Sequence, residues 1–194
     1  TSHLALLGYP PQEYYTGRGP LEAEGTGIHM TAGMIGFRCN FATVDADGLV
    51  TDRRAGRISG TAPLAEAIRD GVDLSPLGLG FRFESGAGHR AALALTGEGL
   101  GDKVSSNDPK REGVRPLTIR PCTADPADAK TAEACNEFIR QSREILFDHP
   151  VNARRMEEGL MPGNLLLIRG AGKMGMFPQF SERYGLSGSV ISAA

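Results

Sequence analysis

The residues of this 194-residue chain best suited to chemistry are arginines set beside glycine and asparagine. Arg38 and Asn40 alternate with apolar residues in one run, and Arg53, Arg54 and Arg57 follow Asp52 within a short turn. His89 and Arg90 close a glycine-rich stretch, Asn152, Arg154 and Arg155 follow the longest helical pattern, and Asn164 and Arg169 precede Gly170-Ala171-Gly172. A guanidinium is planar and forks two parallel N–H bonds onto a carboxylate or a phosphate. Several forks converging from distant stretches of chain would hold a small molecule that carries both groups. Taken singly, each arginine reads equally as a surface charge or an ion-pair partner, Asp52 as a partner for Arg57 or a neighbour, and each glycine-rich spot as a tight turn.

Other constellations carry less. There is no Ser-His-Asp order, no phosphate-binding P-loop and no HExxH helix. Gly170-Ala171-Gly172 lacks the third glycine of a dinucleotide fingerprint. Cys39, Cys122 and Cys135 lie far apart and form no CxxC pair, which argues against a disulfide framework or a zinc site and suits a reducing cytosol. His3 reads as a packing residue, His29 as exposed, and His149, before Pro150, as a helix-end residue. The polar run from Lys103 to Asp108 reads as a solvated loop or a lid that moves on binding.

Positioning these groups requires a framework. Residues 34–44 alternate as a strand, with Phe37, Cys39 and Phe41 on one face and Arg38 and Asn40 on the other. Asp47-Gly48 is a hairpin turn signal leading to a short strand at Leu49–Thr51. Residues 79–84 and 90–95 flank a Gly-rich loop as a second hairpin, and Val114–Arg120 is a further candidate strand. Helical patterns cover 62–70 and 127–147, the latter with Ala132, Cys135, Phe138, Ile139, Ile145 and Leu146 on its apolar side. Further helices are expected at 4–7, from Pro20, at 151–159 and at 177–184. A buried strand at 165–169 and another beginning at 188–192 look like pieces of a separate parallel unit. The pattern implies an α+β fold: a two-layer, mixed but largely antiparallel sheet with helices on one face, and a boundary near residues 150–160.

Composition narrows the setting. Apolar residues make up 40% and charged residues 23%, ordinary for a globular protein. No run approaches the roughly 18 apolar residues of a membrane span. A net charge of -2 favours neither nucleic acid nor an acidic membrane, so anion recognition has to be local. The chain opens on Thr1-Ser2-His3 without a basic region or an apolar leader core, so no secretory leader is expected and a cytoplasmic protein is.

Several strings together are specific. GYPPQEYYTGRGPLEAEGTGI at 8–28 resembles a segment of the archaeal-type, 2,3-bisphosphoglycerate-independent phosphoglycerate mutases, a family of the alkaline phosphatase superfamily. GFRCNFATVD at 36–45, TDRRAGRI at 51–58, GHR at 88–90, HPVNARR at 149–155 and MPGNLLLIRGAG at 161–172 resemble further blocks of it. The similarity runs from residue 1 to 194, with Gly163 standing where the family pattern has alanine.

The resemblance implies interconversion of 3-phosphoglycerate and 2-phosphoglycerate, in glycolysis and gluconeogenesis, through a phosphoserine. It implies two divalent metal ions, manganese, zinc or similar, in the whole enzyme, and no 2,3-bisphosphoglycerate. Ser2 falls where the family usually has alanine, so the nucleophilic serine is expected upstream of Thr1, and no metal ligand falls on a matching motif. Residues 1–33 then read as a remnant of the α/β catalytic core and a linker, 34–155 as an inserted substrate-clamping domain, and 156–194 as the return into the core. Arg38, Asn40, Asp52, Arg53, Arg54, Arg57, His89 and Arg90 are the implied substrate-binding residues, and the chain alone is expected to be inactive and to hold no metal. Alternatives are another phosphomonoesterase or phosphonate-processing enzyme of the superfamily, or an anion-binding module without catalysis.

Overall fold

The computed structural model describes residues 2–175 and 177–189. In chain order its elements are α1 (Ser2–Leu6), α2 (Pro11–Tyr14), α3 (Arg18–Gly25), β1 (Ile35–Val44), β2 (Val50–Asp52), α4 (Ala62–Gly71), β3 (Gly80–Ser85), β4 (Arg90–Thr96), α5 (Pro126–Phe147), α6 (Pro150–Glu157), β5 (Leu165–Lys173) and α7 (Phe180–Tyr184). They fall into two compact units. One spans Thr16–Met174, and the other is built from the two terminal segments.

The larger unit is an α+β fold around β1. β4 pairs along one edge of β1 and β5 along the other, β3 continues outward from β4, and β2 pairs with Thr43 and Val44. Every strand pairing among the described residues is antiparallel. β1 carries the alternation expected of it. Ile35, Phe37, Cys39 and Phe41 enter the main core with Leu64, Ala65 and Ile68 of α4 and Ala132, Cys135 and Phe138 of α5. Phe138 meets Phe83 and Phe81 at ring-centroid distances of 5.5 and 5.1 Å. α5 starts at the Asp125 carboxylate, which accepts from the Ala127 amide at 2.9 Å and so satisfies one of the helix's free donors.

The opposite face is also covered in part, by α3, whereas the sequence pattern placed all helices on one side. Ala23 of α3 packs with Ile28, Met30, Met34, Ala92 and Ala94. The approach is close because glycines permit it. A Cβ on Gly19 would run into the Gly36 carbonyl oxygen, and one on Gly36 would lie 2.8 Å from Pro20 N. A second apolar patch on this face joins Ala42, Val44, Val50, Leu165 and Leu167.

Two expectations are corrected here. Leu165–Lys173 does not open a separate parallel unit; it pairs antiparallel with β1 from Ile35 to Ala42. Its run of leucines reflects burial on both faces, since Leu166 and Ile168 enter the main core and Leu165 and Leu167 the small patch. Val114–Arg120 is not a strand. Pro116 offers no N–H, and the amides of Leu117, Ile119 and Arg120 donate instead to Asn107 O, Asn136 Oδ1 and Ser105 Oγ at 2.9, 3.0 and 2.8 Å. The strand expected from Gly188 lies mostly outside the described residues.

The terminal unit is held by aromatic residues. Tyr9 Oη donates to Pro178 O at 2.8 Å, Tyr184 Oη donates to Gly8 O at 2.9 Å, and the Arg183 guanidinium lies 5.0 Å from the Tyr9 ring centroid. Among the described residues no helix is long and apolar enough to cross a membrane.

Candidate functional site

Between the two apolar patches of the α3-covered face lies a polar strip, and cross-strand register builds it. Arg38 stands opposite Ala92 of β4 and Arg169 of β5, and Asn40 stands opposite Arg90 and Leu167. Residues directly opposed across antiparallel strands share a face, so Arg38, Asn40, Arg90 and Arg169 project together. β5 carries an irregularity between its pairings to Gly36 and Arg38, and Gly170 there takes a φ of 70°. Such an irregularity re-aims the side chain beside it, here Arg169. α3 adds Arg18 and Glu22 from above, and the turn after β2 adds Arg53 and Arg54.

One buried carboxylate organises part of this strip. Asp108, with its side chain 2% exposed, accepts from Arg53 Nε at 2.9 Å and Arg53 Nη2 at 2.7 Å, and from Arg169 Nη1. Burial opposes the charge on Asp108, but the Arg53 bond, the Lys110 amide and the Arg169 charge outweigh it and hold the carboxyl below its ordinary range. Arg53 is correspondingly raised, first by its bond to Asp108. In the orientation that satisfies both ends of its amide, Asn40 donates to Cys39 O and accepts from Arg169 Nη2, each at 3.1 Å.

Arg38 is treated differently. Its side chain is 13% exposed, its buried Nε has no hydrogen-bond partner among the described residues, and Glu22 Oε2 stands 3.8 Å from it. Burial lowers its pKa, Glu22 works the other way, and Arg169, Arg18 and Arg90 add repulsion. His89 is lowered by burial and by Arg54, Arg90, Arg38 and Arg169, which favours the neutral imidazole, able both to donate and to accept. The guanidinium groups of Arg18, Arg38, Arg53, Arg54, Arg90 and Arg169 outnumber the carboxylates of Glu22, Asp52 and Asp108 beside them. Such a strip attracts a small polyanion.

Of the residues singled out from sequence, Arg38, Asn40, Arg53, Arg54, His89 and Arg90 meet on this strip. Asp52 spends Oδ1 on the Arg54 amide at 2.6 Å and shapes the turn. Arg57 is exposed with a φ of 58°, on the short 3-10 turn at Ala55–Arg57, and no contact ties it to the strip among the described residues. Sequence reasoning left Arg18, Glu22 and Asp108 out altogether, and noted Arg169 only as an arginine before glycines. No local signal marked Arg169, because its register opposite Arg38 depends on a strand pairing that the sequence does not disclose. Asp108 lay in the run read as a solvated or mobile loop. That run is instead anchored, because Asn107 Nδ2 donates to Leu166 O at 2.9 Å and Asn107 Oδ1 accepts from Ile168 N at 2.6 Å.

Other candidates resolve into structural roles. Asn152 is buried and joins Leu146 O to both the amide and the carbonyl of Gly163. Asn164 brackets Val44 N and O, Arg155 donates to Met161 O and Ala55 O, and His149 caps α6 by accepting from Val151 N at 3.2 Å. Burial raises the thiols of Cys39 and Cys135, which leaves both protonated and unreactive. Among the described residues no group of three or more His, Cys, Asp or Glu is placed to hold a metal ion.

The strip is partly exposed, and two hollows lie elsewhere. One, of about 720 Å³, lies between α5 and residues 115–118, and another, of about 580 Å³, beside β3 and the end of α4. Neither is lined by residues of the strip.

Comparison with known proteins gives a consistent picture. A sequence model of the 2,3-bisphosphoglycerate-independent phosphoglycerate mutases matches residues 1–152. The chain is 90% identical over all 194 residues to a Methanoculleus marisnigri protein of that name, covering 47% of it, and 66% identical to one from Methanosphaerula palustris, again covering 47%. Among solved structures it is similar to a cofactor-independent phosphoglycerate mutase from Thermoplasma acidophilum. That likeness has a TM-score of 0.79 and 47% identity, over 94% of this chain and 48% of the other. The chain thus spans about half the length of the curated relatives it matches.

Proposed function

Because the chain belongs to the 2,3-bisphosphoglycerate-independent phosphoglycerate mutase family, we propose that it is the substrate-holding part of a longer isomerase that interconverts 3-phosphoglycerate and 2-phosphoglycerate. The observation that carries this reading is Arg38, a largely buried guanidinium within an excess of positive charge, whose facing carboxylate among the described residues, Glu22, stands 3.8 Å off. A guanidinium that no protein carboxylate engages closely keeps its planar fork for an anion, and a phosphate or a carboxylate matches it.

Exchange of a phosphoryl group between two hydroxyls through a phosphoserine requires that free glycerate be retained while it turns. Arginines gripping its carboxylate replace a bimolecular return with a local one. Arg53 and Arg169, held by Asp108, offer fixed forks; Arg38 and Arg90 offer charge less committed to protein partners; neutral His89 offers a hydrogen bond to a hydroxyl. On this reading the two divalent ions that the family implies, like the nucleophilic serine, are held by other parts of the longer protein. This chain alone is expected to leave phosphoglycerate unchanged. On the same reading, Thr16–Met174 is the clamping domain and the two terminal segments, which share one unit, belong with the catalytic core.

His89 provides the test. Its pKa lies below 6.5 in the folded chain, so the unfolded state binds more protons between the folded value and 6.5. Stability therefore rises with pH across that window and falls as pH drops through it. A bound dianion opposes the surrounding arginines and moves the His89 titration upward. Following the His89 ring resonances by NMR with and without 3-phosphoglycerate checks this. An unmoved titration under saturating 3-phosphoglycerate would remove the ligand from the strip.

A further inference from the structure

We propose that Asp108 is a positioning residue for anion recognition, fixing Arg53 and Arg169 as one rigid double fork. The inference rests on the strip being the anion site proposed above.

A carboxylate in an anion site is an electrostatic liability, since by Coulomb's law it weakens whatever anion the arginines attract. Its presence calls for a geometric return. Asp108 supplies one: Oδ1 takes Arg53 Nε and the Lys110 amide at 2.9 Å each, and Oδ2 takes Arg53 Nη2 at 2.7 Å together with Arg169 Nη1. Two long cationic side chains that would otherwise repel each other are locked by one acceptor group.

The acceptor is itself fixed. The Asp108 amide donates to Ser106 Oγ at 2.9 Å, and Ser106 Oγ donates to Ile168 O at 3.0 Å. Asn107, between them, bonds Leu166 and Ile168 of β5, the strand that carries Arg169. Loop, carboxylate and both arginines thus form one frame on β5. The arginine side chains remain 33% and 28% exposed, so a ligand can still reach them. Arg53 Nη1 is not used by Asp108, and Arg169 Nη2 faces Asn40. Freezing both side chains in advance removes the ordering cost that a ligand would otherwise bear. The anionic group that suits such a fork is a carboxylate or a phosphate.

The two roles predict opposite signs for Asp108→Asn. If the carboxylate is only a nearby negative charge or a structural ion pair, its neutralisation leaves anion binding equal or tighter. If it positions the fork, binding weakens although the site has gained positive charge. Calorimetric titration of the whole chain with 3-phosphoglycerate, and separately with sulfate, is expected to show at least about tenfold weaker binding of both in Asp108→Asn. Arg53→Lys, which keeps the charge and loses the fork, is expected to weaken both to a similar extent. Equal or tighter binding by folded Asp108→Asn overturns the proposal. Should Asp108→Asn fail to fold, Arg53→Lys decides: unchanged affinity in that folded variant overturns it. If the unsubstituted chain binds sulfate but shows no preference for 3-phosphoglycerate, the phosphoglycerate reading fails, while the sulfate series still decides the role of Asp108. If it binds neither, both fall.

Discussion

Arg38 is expensive to keep where it is. Desolvating a guanidinium and leaving one of its donors unpaired costs about 1–3 kcal/mol, and Glu22 at 3.8 Å is too distant to offset it through a hydrogen bond. Replacing a buried, poorly paired charge with an apolar side chain of similar length is often stabilising. Arg38→Met is therefore expected to raise the stability of the free chain by about 1 kcal/mol, or a few degrees in Tm, while weakening 3-phosphoglycerate binding by at least about tenfold. Thermal unfolding and calorimetry on the same sample check both directions. A variant that loses stability and keeps its affinity would show Arg38 to be a structural residue. The other strip arginines do not share this behaviour, because Asp108 satisfies Arg53 and Arg169, and Arg54 and Arg90 are exposed to water.

At the scale of elements, the strip exists because α3 sits directly on the sheet. Gly19 meets Gly36 backbone to backbone, and a Cβ on Gly172 would lie 2.6 Å from Thr16 O. Neither contact can yield by moving a flexible side chain. Gly19→Ala is expected to cost about 1–3 kcal/mol by overpacking and to lift Arg18 and Glu22 away from Arg38. A urea melt with an unshifted midpoint would mean that α3 is not seated as described. Much of this framework was readable in the sequence. Alternation in residues 35–44, the Asp47-Gly48 turn, the 80–96 hairpin and the long amphipathic helix all carry local signals, and each appears in place. The antiparallel pairing of β5 was not readable, since a continuous Leu-Leu-Leu-Ile run reports burial on both faces and says nothing of direction. The candidate site followed the same division. Arg38, Asn40 and Arg90 were legible because they sit on patterned strands. Asp108 was not, because its segment has no periodicity and its order comes from side-chain bonds made by Asn107 and Ser106 to a strand about 60 residues onward.

At the scale of the whole molecule, the chain's described residues present a charged strip on one face of the sheet. Its described residues offer no metal cluster, its buried thiols are inert, and it spans about half of each similar mutase. Leu6, Leu7 and Leu186 in the terminal unit are exposed; on the proposed reading, other parts of the longer protein cover them. The division of labour proposed for that protein places the grip on glycerate here and the bond-breaking elsewhere. The most direct test is a crystal structure of this chain grown with 3-phosphoglycerate. An anionic group of the ligand within hydrogen-bond distance of the Arg38 guanidinium, flanked by Arg169 and Arg90, is the expected result. Ligand bound instead in the hollow beside Arg115 and Arg143, or a strip that leaves the Arg38 guanidinium without an anion at saturating ligand, would contradict it.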